Sequence, residues 1–148
     1  MVATQADFYL VSAPDEGTRL KTACAIAGKA YDKGLRVTVL ARSPAEAAQF
    51  DDLLWTFRPG SFVPHGLWPA EASFADATPV LISSGELPES HRDVLVNLGV
   101  DAAGKFVAFD RICEVVGPDE TARRNARSRW RQYSAAGIEP ASHDIGGR

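Results

Sequence analysis

The sequence predicts an α/β fold: a three-layer, Rossmann-like, mostly parallel sheet flanked by helices, in a single domain over residues 1–148. Three observations predict it. Short apolar runs recur at residues 7–12, 37–40, 79–82 and 94–98, the mark of strands buried on both faces. Helical stripes lie between and after these runs, and strands alternating with helices build a parallel sheet. With 148 residues, 45% of them apolar and 24% charged, the chain can bury one full core and has a globular composition.

Residues 7–12 (DFYLVS) join aromatic and β-branched side chains in the first strand, and Pro14 and Gly17 break the segment that follows. Leu20, Cys24, Ala27 and Tyr31 recur at i, i+4, i+7 and i+11, one stripe of an amphipathic helix that stops at Lys33-Gly34. Residues 37–40 (VTVL) are the second strand. Strand, helix and strand form a βαβ unit, expected to cross over right-handed into a parallel pair. Ser43-Pro44-Ala45-Glu46 then places serine at the N-cap, proline at the first helical position and glutamate at the third. That is a capping box, and its helix is expected to reach about Trp55.

Residues 79–82 (PVLI) and 94–98 (VLVNL) are two further strands, with a surface loop at 85–90. Phe106, Phe109, Ile112 and Val116 have helical spacing, but residues 112–116 alone suit a strand. A short helical turn near 106–110 followed by a strand is expected. Gly117-Pro118-Asp119 opens the last helix with a breaker and then acidic residues, and Gly137 ends it. From Pro140 the sequence (PASHDIGGR) has no periodicity, so residues from about 138 to 148 are expected to form a loosely ordered tail.

Several classes are disfavoured. No run approaches the roughly 18 apolar residues of a membrane span, and Met1 leads into no basic and then apolar leader. A cytoplasmic protein is expected. Cys24 and Cys113 fall in apolar segments, as free core thiols would. Neither has a Cys or His neighbour at metal-ligand spacing, so no metal and no cofactor is expected.

The turn after the first strand, SAPDEGT, lacks GxGxxG and GxxxxGK[ST] and carries two carboxylates where a phosphate would sit. No GxSxG elbow appears, and His65, His91 and His143 are scattered. His91 is expected in a solvated polar loop, and His65 as a turn hydrogen-bonder rather than a base. Catalytic residues are therefore expected to be absent. The competing class is a small α/β enzyme acting on a nucleotide or ester, with its ligand near residues 12–18.

Two stretches suggest binding. The net charge of −3 conceals five of the twelve arginines between Arg123 and Arg131, with no acidic residue among them. On a helical wheel Arg123, Arg127, Trp130 and Arg131 share one face, while Ala122, Ala126 and Tyr133 form a small-residue face for the sheet. Guanidinium forks match carboxylates, and tryptophan gives such a face an apolar floor. An acidic peptide, single-stranded DNA and plain solvent each remain as occupants of this face.

The second stretch holds six of the thirteen aromatics between Phe50 and Phe74, interrupted by Pro59, Pro64 and Pro69. Leu54 and Phe57 are expected to anchor it to the core. Six aromatics in one proline-interrupted segment exceed what anchoring needs, and rigid Trp and Phe clusters commonly seed interfaces.

These residues resemble a known family, the chi subunit of bacterial DNA polymerase III. The likeness runs from Phe8 to about Ile138. It is carried by FYLV (8–11), LLWTFRPGSFVPHG (53–66), PVLIS (79–83), RDVLVNL (92–98) and ARSRWRQYSAAG (126–137). The resemblance implies an α/β fold and a non-catalytic clamp-loader accessory subunit acting in DNA replication. It implies two protein partners, the psi subunit and the acidic C-terminal tail of single-stranded DNA-binding protein, and no direct nucleic-acid binding. By position it places the psi-facing surface on Trp55, Phe62, Val63 and Pro64. The tail falls on Arg123, Arg127 and Trp130, with Val116 as an apolar wall; Arg131 joins them from the helical wheel. Ser134 departs from the basic residue that other members can carry there. The occupant of the aromatic surface stays open between psi and a substitute such as a helicase-like protein.

Overall fold

The computed structural model describes residues 4–57, 62–69 and 77–145. Of the aromatic stretch, residues 58–61 and Phe74 lie outside the described residues, as do residues 146–148 of the expected tail.

The strands are β1 (Gln5–Val11), β2 (Val37–Leu40), β3 (His65–Leu67), β4 (Val80–Ser83), β5 (Val94–Asn97), β6 (Arg111–Val116) and β7 (Ala141–Ile145). They form one sheet in the order β3-β4-β2-β5-β6-β1-β7, and every pairing is parallel. Helices α1 (Glu16–Asp32) and α2 (Pro44–Thr56) cover one face, while α3 (Ala103–Phe106) and α4 (Glu120–Ala135) cover the other. Alternation along β5 makes the division visible: Val94 and Val96 pack toward α1 and α2, Leu95 toward α3 and α4. The α/β three-layer expectation holds.

Most elements fall within a residue or two of expectation; the short helix expected near 106–110 lies earlier, at Ala103–Phe106, and four further details differ. β1 and β2 lie in one parallel sheet, but β5 and β6 stand between them. An apolar run reports burial on both faces and says nothing of which strand lies alongside. The fully buried strands β2, β4 and β5 occupy inner positions, and β1, with the polar Asp7 and Tyr9, sits one place from the edge. Second, β3 emerges from the aromatic stretch as an edge strand too short to leave a period-2 signal.

Third, the expected tail is corrected. Residues 141–145 pair along β1, from Asp7↔Ala141 to Val11↔Ile145. An exposed edge strand has no apolar alternation to betray it. Its His143 Nε2 instead meets Asp7 Oδ1 at 2.9 Å, and its ring stacks on Tyr9 with centroids 5.0 Å apart. Fourth, His91 is buried rather than solvated. Its Nδ1 meets Ser90 Oγ at 2.7 Å, and its backbone carbonyl accepts from Thr38 Oγ1 at 2.9 Å.

The caps are those the sequence encodes. Asp15 accepts from Thr18 N at 2.9 Å and Asp119 from Ala122 N at 3.0 Å, so carboxylates satisfy the first turns of α1 and α4. The Thr18 hydrogen bonds hold the Asp15 carboxyl below its ordinary value. Ser43 accepts from Glu46 N, but the return half of the box is displaced by one residue: Glu46 Oε1 accepts from Arg42 N at 3.0 Å. Gly137 follows α4 with φ +86°, a left-handed stop that suits glycine. Cys24 and Cys113 are buried free thiols, each pushed up to about 12 by burial.

Candidate functional site

A parallel sheet gathers its loops at the carboxyl ends of the strands, where α/β proteins usually bind ligands. Here that crevice is a depression of about 110 Å³ between Arg19, Arg42, Leu98, Gly99 and the start of α4, well below the roughly 300–1,000 Å³ of small-molecule sites. Arg19, itself buried, donates to Leu98 O at 2.9 Å and pairs with Glu46. Arg42 Nη2 reaches the same carboxylate at 2.6 Å. Burial alone would raise Glu46, but the hydrogen bonds from Arg42 and the Arg19 charge outweigh it and hold the carboxyl below its ordinary value.

A larger concavity of about 440 Å³ lies on the α4 side of the sheet, between α4 and β7. Phe8 and Leu10 of β1 and Ala126 of α4 give it an apolar floor, and Trp130 forms a wall. The half-buried indole leans on Phe8 with centroids 5.1 Å apart. Arg123, Arg127 and Arg131 bring three cations, Ser142 of β7 closes the outer side, and no carboxylate is among the described lining residues. The helical wheel thus places its four residues together.

The arginines are not equivalent. Arg123 Nε donates to Gly117 O at 2.8 Å and its Nη2 to Val11 O at 3.1 Å, which fixes its guanidinium at the ends of β6 and β1. Arg127 and Arg131 are exposed and pair with nothing among the described residues. Arg129 is a correction to the reading of five surface charges: it is only 2% exposed and lies inside. Its Nε donates to Glu114 Oε2 at 3.0 Å, Tyr133 Oη donates to the same oxygen at 2.6 Å, and Asn97 Nδ2 serves Oε1 at 2.9 Å. Full burial pushes Glu114 above its ordinary value against the Arg129 charge and these donors. The wheel held the signal, since Arg129 falls in line with Ala122, Ala126 and Tyr133.

Val116, the apolar wall that the resemblance implies, does not line this groove. It is buried at the end of β6 and borders the strand-end depression, not the groove. Phe8 and Leu10 hold the apolar position instead. Period-2 alternation within residues 7–12 groups those two side chains, but only the sheet order tells which helix they face.

The aromatic stretch divides. Phe50 and Leu54 are buried and Phe57 packs against the same core. Trp55 and Phe62 are 47% and 61% exposed and stack on each other, centroids 5.1 Å apart. His65 fastens this pair to α2: its Nδ1 meets Val63 O at 2.7 Å, its Nε2 meets Asp51 O at 3.0 Å, and its ring lies 4.1 Å from that of Trp55. Val63, expected on the surface, is 2% exposed and belongs to the core. The extended chain turns Phe62 out and Val63 in; Pro64 is half-buried. The patch flanks β3 at one edge of the sheet, and the groove flanks β7 at the other. Six strand spacings separate those edges, roughly 29 Å.

Fold and layout define a parallel-sheet α/β protein with an arginine-lined groove on one flank and an exposed aromatic pair on the other. The chain belongs to the DNA polymerase III chi subunit family: the family model described as "DNA polymerase III chi subunit, HolC" matches residues 3–141. It is 35% identical to the DNA polymerase III subunit chi of Pseudomonas aeruginosa, over 96% of this chain and 97% of that one. It is 29% identical to the protein of that name from Haemophilus influenzae, over 98% of this chain and all of the relative. The Escherichia coli protein of that name is 29% identical over 78% of each chain. Among solved structures, a C-terminal domain of S. cerevisiae Dbp5, bound to Gle1 and IP6, superposes with a TM-score of 0.65 over 95% of this chain and 90% of that domain. At 11% identity that likeness concerns the fold alone. No helix among the described residues is long and apolar enough to cross a membrane.

Proposed function

We propose that this protein is a non-catalytic, cytoplasmic accessory subunit that links the DNA polymerase III clamp loader to single-stranded DNA-binding protein. The groove takes the acidic C-terminal tail of that protein. The Trp55–Phe62 patch docks on the psi subunit or on a protein that replaces it. The observation that carries this reading is the pair of guanidinium groups, Arg127 and Arg131, that find no partner among the described residues and stand over the apolar floor of Phe8, Leu10 and Ala126.

The roles follow from how each side chain is held. Arg123, fixed by Gly117 O and Val11 O, presents a charge that costs no ordering. Arg127 and Arg131 close on aspartates as forks. Trp130, braced by Phe8, receives an aromatic residue at the end of the tail. Phe8 and Leu10 supply the apolar floor beneath it. The alternative, a small α/β enzyme acting on a nucleotide or ester, would use the strand ends, where the depression beside Arg19 and Arg42 holds about 110 Å³ and the neighbouring concavity of about 460 Å³ has its carboxylate, Glu46, already paired with Arg19 and Arg42.

Calorimetric titration with an acidic peptide ending in phenylalanine with a free carboxylate tests the proposal. Micromolar affinity that weakens as salt rises is expected. Arg127→Ala removes a charge-assisted contact of about 2 kcal/mol, roughly 30-fold in affinity, while Phe62→Ala leaves binding unchanged. Equal affinities of the two variants would overturn it. A steep salt slope with single-stranded DNA that the peptide cannot compete away would favour nucleic acid instead.

A further inference from the structure

We infer that the open edge of β7 is part of the peptide site, and that an acidic peptide in the groove binds by adding a strand to the sheet. This rests on the groove being a peptide site and specifies how it holds the backbone.

β7 is the last strand on its side of the sheet. Backbone groups of successive residues in a strand point alternately to its two neighbours. Ile145 O accepts from Ser12 N at 3.2 Å, so the N–H and C=O groups of residues 141, 143 and 145 are turned toward β1. Those of Ser142 and Asp144 therefore face outward, where no strand among the described residues pairs with them. Ser142, level with Phe8 in the register, lines the groove together with Arg127 and Arg131. One residue thus offers both a wall to the groove and an unpaired backbone pair at the edge.

Two further observations favour an occupied edge. Exposed edges are commonly blunted by charged side chains, proline or a bulge; residues 141–145 (ASHDI) carry one charge, Asp144, but no proline or lysine, and pair with β1 in unbroken register. The strand is also held firmly from the opposite face. There His143 meets Asp7 at 2.9 Å, and its ring stacks on Tyr9, so the edge is preformed. Charge selects the occupant. Alternate side chains of an added strand would project to the α4 side, where Arg127 and Arg131 stand without partners. An extended peptide with carboxylates at alternate positions satisfies the backbone groups and the guanidinium groups together. Residues 142–145 lie past the stretch matched by the family model.

The test uses the full chain and an eight-residue aspartate-rich peptide ending in phenylalanine, prepared with one backbone amide N-methylated at a time. Methylation removes a single N–H donor and leaves every charge in place. Losses of roughly five- to tenfold at every second position of the edge-facing segment, and near-unchanged affinity between them, are expected. Ser142→Pro, which removes an outward N–H and no bond to β1, should weaken the unmethylated peptide by a similar factor. Uniform tolerance of methylation, with Arg127→Ala still weakening binding about 30-fold, would overturn strand addition and leave the groove reading standing. Failure of the unmethylated peptide to bind would overturn both.

Discussion

Replacing Arg129 by methionine separates the buried arginine from its exposed neighbours. Methionine keeps the apolar stem and much of the volume, so the change isolates the guanidinium group. What it abandons is Glu114, which is fully buried between β5, β6 and α4. Breaking a buried ion pair by removing one partner costs about 3–5 kcal/mol. The lower end applies here, because Tyr133 and Asn97 continue to donate to the carboxylate. The lost contact with the half-exposed Asp101 adds little. For a chain of this length about 3 kcal/mol corresponds to a melting temperature lower by roughly 10 °C.

The penalty also has a pH signature. Glu114 already sits above its ordinary value because it is buried, and loss of Arg129 raises it further. A group whose folded-state value lies above the unfolded one stabilises most below the unfolded value and loses that contribution as pH rises through the folded one. Arg129→Met should therefore be nearest to wild type in mild acid and fall away toward neutrality and above. Urea unfolding at several pH values, with Arg127→Met as the exposed control, measures both effects. A loss under about 1 kcal/mol, or an equal loss for Arg127→Met, would refute the assignment of Arg129 to the interior.

Three other outcomes follow from the same contacts. Val63→Ala should cost about 2 kcal/mol by urea unfolding, while its exposed neighbour Phe62→Ala stays within about 0.5 kcal/mol of wild type. Ser43→Ala removes the acceptor for Glu46 N and should lower stability by about 1 kcal/mol. Glu46 sits below its ordinary value, so its stabilising share is present above the unfolded value and lost as acid carries the pH down through the folded one. Acid titration of Glu46→Gln should accordingly show a weaker loss of stability at the acid end than wild type.

How much was legible depended on which signal each element leaves. Strands buried on both faces are continuous apolar runs, and β2, β4 and β5 were readable to within a residue. Caps write themselves in a few side chains, as Ser43 and Asp119 do. Strand order leaves no local trace, because Val37 looks the same whichever strand lies beside it, and so β1 and β2 were expected to pair. Both edge strands were missed for a related reason. β3 is three residues long and β7 is exposed along most of its length, so neither offers an alternating pattern.

At the groove, the wheel of α4 was enough to unite Arg123, Arg127, Trp130 and Arg131. It could not tell which arginine points inward without weighing Arg129 against Ala126 and Tyr133 on the opposite stripe. Phe8, Leu10 and Ser142 come from strands distant in sequence and enter the groove only through the parallel register of β1 and β7.

The central claim is that an acidic peptide is held on the α4 flank while the aromatic patch stays free. Two-dimensional NMR of the full chain during peptide titration tests it most directly, because Trp130 and Trp55 report separately through their indole N–H signals. The account predicts shifts of the Trp130 indole and of backbone amides in residues 123–131 and 141–145, with the Trp55 indole unmoved. Shifts confined to Trp55, or to the strand-end loop at residues 12–18, with Trp130 silent, would contradict it.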